Sequence, residues 1–177
     1  MKNILLTLFL GITTAACFAQ DGCKLCGDWV GVYEKELGKY DYNEDRIIPA
    51  SYKLYVRIKK IDDTYIVRVK ERIIDGSTDF NYMPDCIITN SSDNRISWYW
   101  DWGDDDNGGY GYSNGVAYTH QTSYVTIYLE SGKLIYTGIT IIKEYNRRGE
   151  LVKQWESPHG VFPCGDAVTL YKDDSDW

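Results

Sequence analysis

The sequence predicts an all-β protein: an antiparallel up-and-down meander of about 8–10 strands, closed into a barrel, with a β-sandwich as runner-up. Three observations carry this prediction. Apolar and polar residues alternate with period two along most of the chain, short Asp, Gly, Ser and Asn turns separate the runs, and helical periodicity is nearly absent.

The chain opens with an export signal, read from Lys2, the apolar run Ile4 to Ile12, and small residues leading to Cys17-Phe18-Ala19-Gln20. A short apolar run behind a positive charge is a secretion signal and is too short to span a bilayer. The preferred cut precedes Gln20, making 1–19 the signal peptide and 20–177 a single β-barrel domain. The alternative reads Thr14-Ala15-Ala16-Cys17 as a loose lipobox that would place a lipid on Cys17. The expected localisation is secreted or periplasmic, with membrane attachment only through that lipid. A formal net charge of -7 disfavours a nucleic-acid partner, which would need a basic surface, and none is expected.

In chain order the first strand is expected over 27–35, followed by a long polar loop over 37–49. Next, Tyr52, Leu54, Val56 and Ile58 alternate with charged residues, and Tyr65, Val67 and Val69 do so after Asp62-Asp63. A two-residue turn at Asp62-Asp63 would pair Ile58 with Val67 and Val56 with Val69, matching the apolar faces. Further strands are expected near 82–90, 94–102, 110–119, 123–130, 133–145, 150–156 and 166–172. His120 and His159 both fall in expected turns.

Removal of the signal leaves Cys23, Cys26, Cys86 and Cys164, an even set that fits two disulfides in an oxidising compartment. Long-range bridges from Cys23 and Cys26 to Cys86 and Cys164 are expected, because closing large loops removes more unfolded-state entropy. A redox Cys-x-x-Cys and a zinc site with His159 are the sharper alternatives.

Gly27-Asp28-Trp29 at the start of the first strand resembles the Gly-x-Trp motif of the lipocalin and calycin barrels. The resemblance implies a closed barrel with a pocket for a small apolar ligand, and it carries over Gly27 and Trp29 as structural residues. Neither a Thr-Asp-Tyr-type second motif nor an Arg after the last strand accompanies it.

The strongest functional candidate is aromatic. Ile96, Trp98, Trp100 and Trp102 share one strand face, and Tyr110, Tyr112, Val116 and Tyr118 share the next. Such a stripe fills a core, lines a pocket or stands outside as a stacking platform. Trp98, Trp100, Tyr110 and Tyr112 are the expected ligand-binding residues. Between these strands Asp101, Asp104, Asp105 and Asp106 form an oxygen-rich loop, a candidate calcium site although its spacing is not that of an EF-hand. Lys53, Arg57, Lys59, Arg68, Lys70 and Arg72 form a basic stripe suited to an anionic partner.

No nucleophile with its base is evident, so the expectation is a non-enzymatic exported binding module for a small apolar or aromatic ligand, with no obligatory cofactor. An envelope protein that binds a glycan or a protein and has a solid core is the alternative. A small outer-membrane barrel, whose polar face would point inward, is the third reading.

Overall fold

The computed structural model describes residues 22–76, 78–105, 116–157 and 167–173. The signal segment 1–19 with Cys17, and Asp106, Tyr110, Tyr112, His159 and Cys164, lie outside the described residues. Among the described residues there are ten strands: β1 (Gly27–Asp41), β2 (Arg46–Ile61), β3 (Thr64–Ile73), β4 (Asn81–Tyr82), β5 (Ile87–Ser92), β6 (Arg95–Asp105), β7 (Tyr118–Glu130), β8 (Lys133–Tyr145), β9 (Leu151–Ser157) and β10 (Val168–Lys172). All pair antiparallel in one sheet, in the order β4-β3-β2-β1-β10-β8-β7-β6-β5, with β9 beside β8.

This order is a circular meander with one interruption. Sequence neighbours pair along each arm, and β1 meets β10 through Trp29↔Lys172 and Val30↔Tyr171. Between β4 and β5 no ladder forms among the described residues. The expected closure is therefore corrected: the sheet curls but hydrogen bonds do not close it. Only residues 83–86 separate the two free ends, so they stand at most about 18 Å apart along the chain. The Tyr65 hydroxyl also crosses between the arms, donating to the Ser92 carbonyl at 3.3 Å. Pro84 explains why a continuous 82–90 strand does not form: it lacks the N–H a ladder requires.

The β2–β3 hairpin has the register the alternation dictates, with Ile58↔Val67, Val56↔Val69 and Ile61↔Thr64. Asp62 accepts the left-handed φ of 54° that the tight turn requires. Two other expectations are corrected. The 37–49 loop is mostly strand, because β1 continues past a bulge between Lys35 and Lys39 and pairs with β2 to Asp41↔Arg46. The turn expected at His120 lies inside β7, where His120 pairs with Asp104 and Lys143.

A single apolar cluster fills the curl, with Leu25 and Trp29 near one end and contributions from β2, β3, β6, β7, β8 and β10. Trp29, Trp98, Trp100 and Tyr136 are its largest fully buried side chains. The Trp29 indole donates to the Leu25 carbonyl at 2.8 Å, and the Lys172 ammonium lies 4.4 Å from its ring centroid. A lysine of the last strand thus covers the tryptophan. Gly31 lets β1 close on β10, since a Cβ there would come within 2.6 Å of the Thr169 carbonyl oxygen.

Candidate functional site

The candidate site is a groove of about 420 Å³ at the interruption in the sheet, lined by Arg57, Val67, Arg68, Val69, Lys70, Tyr82, Met83, Pro84 and Asp85. Its position follows from β4, which pairs with β3 only at Lys70↔Tyr82 and Glu71↔Asn81. One further bond, from the Met83 N–H to the Val69 carbonyl at 3.1 Å, holds the chain before Pro84 leads it away. Beyond that point β3 continues and its neighbour does not. A cleft opens along the strand edge.

The groove unites the basic stripe with an aromatic bed. Register places Lys53 opposite Arg72, Tyr55 opposite Lys70 and Arg57 opposite Arg68 on the outer face. The Lys70 ammonium sits 3.9 Å from the Phe80 ring centroid and 5.3 Å from that of Tyr55, and Arg72 lies 5.6 Å from Phe80. Such cation–π contacts hold the charges in place. Burial, with Arg57 and Arg72 close by, lowers the Lys70 pKa from its ordinary value, and Asp28 partly counters this. Arg57 grips Asp28 through two bonds of 2.6 and 2.9 Å. Arg68 is exposed. Apolar Val67, Val69 and Met83 border the cations, so the groove presents positive charge and greasy surface together.

The sequence reading identified the cations but missed Tyr82, Met83, Pro84 and Asp85, which form the second wall. Pro84 inside an expected strand was the available signal.

Within the described part of the aromatic stripe, Ile96, Trp98 and Trp100 are internal and Trp102 and Tyr118 are half-buried. Trp98 and Trp100 are 1% and 0% exposed, and they contact each other edge-on at 5.8 Å between centroids. Trp98 meets Tyr136 in the same way at 5.9 Å, and its Nε1 is buried without a hydrogen-bond acceptor among the described residues. Trp102 donates to Ser123 Oγ at 2.8 Å, and Ser123 bonds Thr140 at 2.8 Å. Across the curl, Tyr33 donates to the carboxylate of Glu71, which also faces Lys35 at 3.4 Å. Burial raises the Glu71 pKa, while Lys35, Tyr33 and Asn81 oppose the rise. One end of the interior is therefore polar.

The described part of the acidic loop is a bulge bridged by histidine. His120 Nδ1 lies 2.8 Å from Asp104 Oδ1, and its Nε2 lies 3.3 Å from Asp101 Oδ1. Asp101 also accepts the Gly103 N–H at 2.9 Å. Asp101 and Asp104 thus have protein partners, and no metal-binding group of three or more His, Cys, Asp or Glu occurs among the described residues. The Asp105 side chain, like Asp106, lies outside them.

The expected long-range disulfides are corrected at Cys23, which bonds Cys26 across a Cα separation of 5.4 Å. A turn closed by the Cys26 N–H and the Cys23 carbonyl at 3.3 Å brings the two together, so neither reaches across the fold. Cys86 is a free thiol packed on the core, its pKa pushed up to about 12 chiefly by burial.

No protein-family model, curated protein or solved structure significantly matches the chain. What it shares with the lipocalin motif is Gly27-Asp28-Trp29 on an antiparallel curled sheet compatible with a barrel-like fold.

Proposed function

We propose that the protein is an exported, non-catalytic binding module whose site is the groove beside β3 and whose ligand is anionic with an apolar part. One observation carries this reading: Arg57, Arg68 and Lys70 converge on a cleft floored by Val67, Val69 and Met83. The volume falls within the usual size of ligand sites. Buried Trp98 and Trp100 support a solid core over a large internal pocket. Outward cations and inward apolar residues on β2 and β3 run opposite to an outer-membrane barrel, whose lipid face is apolar.

The aryl sulfonate dye ANS tests the groove by fluorescence titration of the folded protein. Arg68→Glu, at an exposed position, is expected to weaken binding about tenfold or more at low salt while leaving the unfolding midpoint nearly unchanged. Unchanged affinity would overturn the proposal.

A second reading keeps a small apolar ligand against Trp98 and Trp100, with Tyr110 and Tyr112 as further contacts. The buried Trp98 Nε1 favours it, since an indole N–H left without an acceptor costs about 1–3 kcal/mol that a ligand acceptor would offset. Neutral N-phenyl-naphthylamine distinguishes the two: saturable binding that quenches tryptophan emission and ignores Arg68→Glu supports this reading, and absence of binding refutes it.

A further inference from the structure

Four consecutive residues of β3, Val67 to Lys70, line the groove. A cleft over a sheet face would be lined by alternate residues, because successive side chains point to opposite faces. Consecutive residues mean that the cleft opens on the strand's edge. The peptide groups there are poised for pairing. Met83 donates to the Val69 carbonyl, so Val69 directs its peptide groups toward the interruption. In an antiparallel strand every second residue does the same, which puts the N–H and C=O groups of Val67 and Tyr65 on that side. No ladder pairs that edge at Tyr65 or Val67 among the described residues.

We infer that the groove receives an extended acidic peptide, which adds as a strand to β3 at Tyr65 and Val67. The inference rests on the groove being the binding site and names its partner class. Side chains of an added strand would alternate in the same way as those of β3. Those on the outer side meet Arg57, Arg68 and Lys70, with Asp85 the one acid of the lining, and those on the inner side meet Val67, Val69 and Met83. The matching segment therefore alternates carboxylates with apolar residues. Basic side chains beside a free edge commonly deter unwanted pairing; here they deter neutral and basic strands and admit acidic ones. Pairing this edge with its own copy would set Arg57, Arg68 and Lys70 against the same cations, and two chains of net charge -7 repel, which disfavours a second copy as the occupant.

The test uses the mature protein and a fluorescein-labelled peptide of alternating Glu and Val. Saturable binding by anisotropy is expected, with slower amide hydrogen exchange at Tyr65 and Val67 in the complex. Two further peptides carry backbone N-methyl groups on all Val or on all Glu residues. They keep every charge and apolar group, and at least one should bind about tenfold or more weakly because it cannot donate to β3. Undiminished binding by both, binding without new protection at Tyr65 and Val67, or no peptide binding while ANS still responds to Arg68→Glu would each overturn strand addition and leave the groove standing. Loss of the Arg68→Glu effect on ANS would instead remove the groove itself. Concentration-dependent dimers that protect the same two amides without peptide would identify a second copy as the occupant and overturn the inference.

Discussion

The two ends of the curled interior are built on the same strands with opposite chemistry. Near Trp29 the inward positions are Leu25, Ile58, Ile96, Ile127, Leu134 and Leu170, each at most 1% exposed. Toward the other end the same inward rows carry Tyr33, Lys35, Tyr52 and Glu71 on one arm and Trp102, Ser123 and Thr140 on the other. The apolar end supplies burial, at about 1.5–3 kcal/mol for each large side chain. The polar end must satisfy every group by a specific partner, so it contributes less stability and more geometric definition.

Three perturbations sharpen that contrast. The largest effect is expected from Trp29→Ala at the apolar end and Trp100→Ala nearer the polar end, each costing about 3–5 kcal/mol in urea unfolding. Comparable losses would show one continuous core; a small loss for Trp100→Ala would mean the polar end is loosely filled. Next comes the joint replacement Cys23→Ser and Cys26→Ser, expected to cost no more than about 2 kcal/mol because the bond closes a very short loop. A loss above about 4 kcal/mol would imply a long-range bridge instead. The subtlest is the pH dependence of Glu71. Its raised pKa means the native state binds that proton more tightly than the unfolded chain does. This contribution should therefore stabilise the native state as pH falls through the folded pKa toward the unfolded value near 4.5, where the gain is complete. The unfolding midpoint of the native chain should thus rise relative to Glu71→Gln over that interval, and a constant difference would contradict the assignment.

The same contrast explains what the sequence revealed. The β2–β3 register was legible because Val56 and Ile58 face Val69 and Val67 through an apolar alternation that both strands share. The start of β7 was not, because its inward positions include Thr119 and Ser123, and polar inward residues erase the period-two signal. Glu71 continues the inward row of Tyr65, Val67 and Val69, yet its charge gave no hint of a 3% exposure. Arg57, Arg68 and Lys70 were legible as a stripe. The groove was not, since it arises where β4 stops pairing with β3, and pairing length is a property of the folded sheet.

The meeting of β1 with β10 also bears on when the fold can assemble. The hairpins of each arm involve near neighbours and can form as the chain emerges, but Trp29↔Lys172 joins residues from opposite ends of the sequence. Such a contact is slow because a long loop must close before it brings any gain. A chain that emerges N-terminus first would carry β1 and β8 without the strand that bridges them until Val168–Lys172 arrives, leaving Trp29 without its last neighbour. The final docking strand acts as a timer, and a chain ending at residue 166 should hold its hairpins, by amide protection, while the emission of Trp29 reports water.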